Sequence, residues 1–277
     1  MAITAAQVKE LRDATNVSMM ECKKALVETD GDLKAATKIL RERGVAVAAK
    51  RASKEANQGL VASATSEDGN TISLVEVNSE TDFVARNEDF QAFVVEVAQK
   101  ALTTDEPLSE TMNDVLMDKI AAMGENLKIR RNVRYQLDGT GKVASYIHLG
   151  GKVGVLLEVG CENESTTTTP AFEELVRDLT LHIAAVAPAY LTSDEIPADV
   201  VSEERKIYEN QVKGKPENII EKIVDGKLNK FFSETCLVNQ GFVKEPKQSI
   251  TDLVNQKSKE LGDTITIKRF TRYQLGA

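Results

Sequence analysis

The chain has 277 residues, of which 42% are hydrophobic and 28% charged, a balance typical of a globular protein long enough for two domains. Thirty-five basic residues stand against 43 acidic ones, and the formal net charge of −8 argues against a broad phosphate-binding surface and therefore against direct nucleic-acid binding. Cys22, Cys161 and Cys236 are odd in number, far apart and in no C-x-x-C pair, which fits a reducing cytoplasm better than a disulfide framework or zinc site, while the N-terminus lacks a signal-peptide core and no apolar run approaches the roughly 20 residues needed to span a bilayer.

Residues 4 to 43 read as three short helices. The first opens T-A-A-Q, with Thr4 and Gln7 spaced as a reciprocal cap, and the second opens S-M-M-E, with Ser18 and Glu21 in the same relation. The third follows Asp30-Gly31-Asp32 and carries Leu33, Ala36, Ile39 and Leu40 at helical spacing, with Gly44 expected to end it. Val8, Leu11, Cys22, Ala25 and Leu26 supply the facing stripes. The stretch AAKRASKEANQG, 48 to 59, reads as a partly helical connector.

From Leu60 the period changes to alternation around Asp68-Gly69-Asn70, which signals a β-hairpin. A helix with Phe90, Phe93, Val94, Val97 and Ala98 on one face follows. Pro107 marks a break, a second helix carries Leu116, Ile120 and Met123 and stops at Gly124, and LKIRRNVRYQL (127 to 137) alternates as a strand. The pattern then returns. LVEVN at 74 to 78 matches LLEVG at 156 to 160, and Phe90, Phe93 and Val94 match Phe172, Leu175 and Val176, all at an offset of 82. The closing strand recurs as ITIKRFTRYQL, 265 to 275, at an offset of 138, so the second copy contains an insertion of 56 residues. The insertion lies between about Pro188 and Pro246 and is expected to be an antiparallel helical hairpin turning at Gly214-Lys215-Pro216. Its stripe of Ile220, Ile223, Val224, Leu228 and Phe231 can cover its own core or meet a second copy of the chain. The expected fold class is α+β: a three-helix module with its connector at 1–55, a first α+β subdomain at 56–139, and a second at 140–277 that carries the hairpin at about 188–245.

Groups for covalent chemistry do not converge. His182 falls in a helical apolar stripe and reads as a hydrogen-bonded core imidazole, and neither it nor His148 has a metal-type companion. LDGTGKVAS and GGKVG do not complete a phosphate-binding loop, because Val follows each Lys, and STTTTP reads as a polar loop ending at a helix start. A nucleotide hydrolase using Lys142 or Lys152 would need to bind nucleotide by itself. No catalytic residue, metal site or cofactor is expected.

Several residues suit a binding surface instead. Met19 and Met20 are successive in the first turn of the second helix and cannot easily share one buried face, and flexible thioethers adapt to partner surfaces. Phe83 lies in the polar stretch NSETDFVARN, where the chain either folds it into a core or keeps it for a partner. The repeat supplies an internal control: the counterpart of ETDFVARN is ENESTTTT from Glu162, so the same architecture closes without an aromatic. Both readings remain open on the residues alone.

The ordered blocks VKELRDAT, MMECKKAL, EVNSETDFVARN and SYIH resemble the motifs of the bacterial elongation factor Ts family, from about residue 2 to the end. The resemblance implies a ubiquitin-associated-like three-helix module, a duplicated core with antiparallel sheets and a helical hairpin insertion. It implies a non-enzymatic guanine-nucleotide exchange factor, acting in translation elongation in the cytoplasm on elongation factor Tu, in both its GDP-bound and nucleotide-free forms. On that resemblance Thr81, Asp82, Phe83 and Val84 displace magnesium from the partner, and Leu11, Arg12, Met19, Met20 and His148 contact it. A homodimer through the hairpin or a two-plus-two complex with the partner is compatible with it. Longer members continue into a C-terminal helical module; this sequence stops at RYQLGA, and the core and N-terminal module are expected to suffice. The reading from a different class is an adaptor or chaperone that binds a protein through the three-helix module and exposed Met and Phe without altering nucleotide release.

Overall fold

The computed structural model describes residues 3–15, 17, 19–212 and 216–277, with side chains at all of these except 45–50, 217 and 218. Helices α1 (Ala5–Thr15), α2 (Met19–Glu28) and α3 (Leu33–Arg51) form the N-terminal module. Its core is Val8, Leu11, Cys22, Ala25, Leu26, Ala36 and Leu40. Thr4 and Gln7 cap α1 reciprocally: the Thr4 N–H donates to Gln7 Oε1 at 3.0 Å and the Gln7 N–H to Thr4 Oγ1 at 3.3 Å. Asp32 caps α3 by accepting from the Lys34 and Ala35 N–H groups at 2.9 and 3.1 Å. The Ser18 cap and most of the turn at 214–216 lie outside the described residues.

One expected boundary is wrong. Gly44 does not end α3, which continues to Arg51. A Cβ at Gly44 would stand 2.7 Å from that of Ala121, so this glycine serves close packing against the helix that contains Ala121 rather than a stop.

The chain divides into two compact units. The first comprises Met1–Arg134, Ile147–Gly154 and Tyr273–Ala277; the second comprises Tyr135–Tyr146 and Val155–Arg272. Strands β1 (Gln58–Thr65) and β2 (Thr71–Ser79) pair antiparallel, followed by α4 (Asp82–Ala85), α5 (Glu88–Ala101), α6 (Leu108–Thr111), α7 (Asn113–Met123) and β3 (Leu127–Gln136). The strand order of this sheet is β1-β2-β3. Helix α5 lies on β1 and β2, and Phe90, Phe93, Val94, Val97 and Leu108 join Val75, Val77, Leu127 and Ile129 in the core. Asn87 caps α5, and left-handed Gly124 ends α7 as its sequence position predicted.

The second sheet has the order β4-β5-β8, from β4 (Gly141–His148), β5 (Val153–Gly160) and β8 (Thr266–Gln274). Between β5 and β8 lie α8 (Pro170–Val186), α9 (Ala198–Gln211), α10 (Glu217–Thr235), the short ribbon β6 (Gly241–Phe242) and β7 (Glu245–Ser249), and α11 (Ile250–Leu261). The Thr run is a short 3-10 turn, Glu164–Thr168, followed by Thr169 as the cap of α8. Val212, Val224 and Leu228 are buried between α9 and α10, with Val201, Ile220, Ile223 and Phe232 packed around them. The hairpin stripe therefore covers its own core, with Phe232 rather than Phe231 completing it. His182 is buried in α8 as expected: its Nε2 lies 3.0 Å from Gln240 Oε1 and its Nδ1 accepts the Val243 N–H at 3.2 Å. That acceptor role fixes the neutral tautomer with the proton on Nε2.

The duplication extends to the polar interior. In the first unit the fully buried Glu76 accepts from Arg130 at 3.1 Å, Arg131 at 2.7 Å and the Gly276 N–H at 2.9 Å, and Arg131 stacks on the Tyr273 ring at 4.2 Å. In the second, Glu158 accepts from Arg269 at 2.6 Å and the Asp138 N–H at 3.0 Å, and Arg269 stacks on Tyr135 at 4.2 Å. Each participant corresponds to its counterpart by the sequence offsets of 82 and 138. The last residues of β8 complete the first unit and the last residues of β3 complete the second.

Candidate partner-binding site

The segment after β2 is a one-turn helix held at both ends. Thr81 has extended backbone, φ −122° and ψ 157°, and its Oγ1 accepts the Val84 N–H at 3.3 Å. Four residues cannot form a stable helix alone. The support comes from Glu125, whose carboxylate accepts from the Thr81 hydroxyl at 2.6 Å and from the Thr81 N–H at 3.0 Å. Ser79 Oγ donates to the Thr81 carbonyl at 2.9 Å, and Arg86 pairs with Asp82 at 2.8 Å. Ala85 is buried and Val84 packs on the core cluster. With these neighbours fixed, Phe83 projects outward with 81% of its surface exposed. The structure thus separates the two fates the sequence left open: Phe83 is absent from the core.

Glu125 was not singled out by sequence reasoning, although the repeat contains its signal. Its counterpart Asp263 holds the equivalent loop, accepting from the Glu162 N–H at 3.0 Å, the Asn163 N–H at 3.1 Å and Thr166 Oγ1 at 2.5 Å. The Thr166 hydroxyl, helped by these amides and that of Thr264 against a smaller burial effect, lowers the Asp263 carboxyl to about 2.

Phe83 lines an open depression of about 730 Å³ whose wall also includes Thr81, Asp82, Arg86, Leu149 and Lys152. His148 is exposed at the end of β4, directly before Leu149. On the N-terminal module, Arg12, Met19 and Met20 are exposed, whereas Leu11 is only 1% exposed and belongs to the module core, shaping that surface from within. Arg12, Met19 and Met20 do not line the depression around Phe83. Among the described residues no helix is long and apolar enough to cross a membrane, and no group of three or more His, Cys, Asp and Glu side chains is arranged to hold a metal ion.

The result is an outward-facing aromatic on a supported turn, with polar and charged side chains around it. A family model described as elongation factor TS matches residues 80–277, a span that starts at this loop and runs to the last residue. Elongation factor Ts of Trichlorobacter lovleyi is 44% identical over 291 residues, covering 100% of this chain and 93% of that protein. The corresponding protein of Clostridium botulinum (strain Alaska E43) is 44% identical over 287 residues, covering 99% and 93%, and that of a Nitratiruptor species is 43% identical over 288 residues, covering 100% and 94%. Identity at this level over nearly the whole of both partners, together with the family match across the duplicated core, places the chain in the elongation factor Ts family.

Proposed function

We propose that this protein is a guanine-nucleotide exchange factor for elongation factor Tu, acting in the cytoplasm during translation elongation. The observation that carries the proposal is the 81% exposure of Phe83 on a helix turn whose Thr81 cap, Val84 and Ala85 are held against the fold. A GTPase holds the β-phosphate of GDP through a phosphate loop, a lysine and Mg²⁺, so a small displacement breaks several short charge-assisted contacts together. An aromatic pushed between helices of the nucleotide domain supplies such a displacement, and its burial contributes about 3 kcal/mol, net of ordering the ring, toward holding the distorted state. In this reading Thr81 and Val84 set the position of the turn, Asp82 and Phe83 enter the partner, and loss of Mg²⁺ follows. Arg12, Met19, Met20 and His148 contribute further contact.

The cycle needs no covalent step. Whatever factor the exchange factor removes from nucleotide affinity, the nucleotide removes from the affinity for the exchange factor, so incoming GTP releases it. The test is stopped-flow release of fluorescent GDP from purified elongation factor Tu with and without this protein, in excess Mg²⁺ and again after chelation. Acceleration by orders of magnitude in Mg²⁺, shrinking after chelation, is the expected result. Binding without acceleration would replace this reading with the adaptor reading, and acceleration unaffected by chelation would remove magnesium displacement from the mechanism.

A further inference from the structure

We propose that Leu149 is a second apolar anchor for the same protein partner that receives Phe83, an inference that rests on the exchange reading above. Leu149 is 69% exposed in the turn between β4 and β5 and lines the same depression as Phe83, with Arg86 and Lys152 at its polar margin. An apolar centre with a charged margin is the layout of a protein contact surface.

The backbone supplies an independent observation. Leu149, Gly150 and Gly151 have successive φ values of +50°, +62° and +89°. Glycine adopts this region freely, whereas a leucine there is strained by its own Cβ. The turn cannot relax to relieve it, because the Lys152 N–H donates to the His148 carbonyl at 3.1 Å and the Val61 N–H to the Gly151 carbonyl at 2.7 Å. A Cβ at Gly151 would also lie 2.8 Å from Leu60 Cδ2 and 3.1 Å from the Val61 carbonyl oxygen, so the turn packs closely against β1. A large side chain kept in a strained position, with most of its surface in solvent, is retained for something other than folding.

The internal repeat provides a control at both positions. The two hairpins align at the offset of 82 without a gap, and Gly59 and Gly141, both at positive φ, occupy matching positions. By that offset the counterpart of Leu149 is Glu67 and that of Phe83 is Ser165, both polar and exposed. One architecture closes twice, and only one copy of each element presents an apolar group. Those two groups line one depression, which makes the surface continuous with the one proposed to enter elongation factor Tu.

The test is Leu149→Gly in the full chain, with Leu149→Met as the conservative variant and Glu67→Ala as a control on the other hairpin. Glycine relieves the positive φ, so the thermal midpoint is expected to stay level or rise. The concentration giving half-maximal acceleration of GDP release from elongation factor Tu is expected to rise about tenfold, as loss of a buried leucine would give, while Leu149→Met and Glu67→Ala stay within about twofold of the parent. Half-saturation of Leu149→Gly within about twofold of the parent, with the parent active, overturns the anchor and leaves the exchange reading standing. A fall in the thermal midpoint of Leu149→Gly would assign the side chain to the turn itself and overturn it as well. A parent without acceleration overturns both.

Discussion

Phe83 and Val84 are adjacent in sequence and opposite in role, which allows the candidate site to be tested against itself. A phenylalanine buries about 200 Å², and with 81% of Phe83 exposed roughly 160 Å² is available to a partner. At ~25 cal/mol/Å² this is about 4 kcal/mol, from which ordering of the side chain removes about 1 kcal/mol. Phe83→Ala is therefore expected to lower kcat/KM for GDP release by about 100-fold, while its unfolding free energy from urea titration shifts by less than about 0.5 kcal/mol because the fold loses no packing. Val84→Ala removes two methyls that pack on the core cluster and is expected to cost about 1 kcal/mol of stability with a smaller loss of exchange. Stopped-flow release and urea unfolding on both variants give the comparison. Exchange by Phe83→Ala within about threefold of the parent would refute the wedge, and a stability loss above about 1 kcal/mol would refute the claim that the ring is external to the fold.

Thr81→Val keeps the shape of Thr81 but removes its hydroxyl bonds to Glu125 and to the Val84 amide; a loss of about 2 kcal/mol and a several-fold slower exchange are expected, and full activity would show that the turn needs no anchor. Glu76→Gln leaves Arg130 and Arg131 without their buried carboxylate, for an expected cost of about 3 kcal/mol in urea unfolding; a cost under about 1 kcal/mol would contradict the interior ion pair. Burial holds the His182 imidazole below its ordinary pKa, against the raising effect of Gln240, so its contribution to stability is complete above about pH 6.5 and is lost as pH falls from there toward the lowered folded value. The unfolding midpoint of the parent should fall more steeply between pH 7.5 and 5 than that of His182→Gln, and parallel slopes would exclude the effect. Asp263, lowered to about 2, acts in a separate window: its contribution is present above about pH 3.9 and is lost as pH falls toward 2, a transition that Asp263→Asn should lack.

The regular elements were legible because their signals are local. The hairpin at Asp68-Gly69-Asn70, the stripe of Phe90, Phe93 and Val94, and the stop at Gly124 each depend on residues within a few positions. Gly44 misled because glycine marks both helix ends and close helix contacts, and the deciding neighbour, Ala121, is remote in sequence. The turn Asp82–Ala85 was not legible as a helix, since its stability is borrowed from Glu125, 44 residues away. Exposure of Phe83 was approached through the repeat, which showed the fold could close without it. Leu149 escaped notice because an apolar residue after SYIH extends the strand pattern, and its positive φ follows from hydrogen bonds the sequence does not display. Leu11 shows the reverse limit: a motif can contain a residue for the core that supports the surface as well as the surface itself.

The exchange of strand ends between the units has a consequence for synthesis. Most of the first unit leaves the ribosome before the second, yet Tyr273 and Gly276, which stack on Arg131 and donate to Glu76, follow all of the second unit along the chain. The earliest unit to begin folding is thus finished after the second, and a nascent chain carries a buried carboxylate short of a donor until residues 273–276 have been made. Cutting the gene between the two repeats would not yield two independent halves, because each product would lack the few residues that close its polar interior. A product that stops before Tyr273 would be left open in its first unit, a state that cellular proteases can distinguish from a chain that includes residues 273–276.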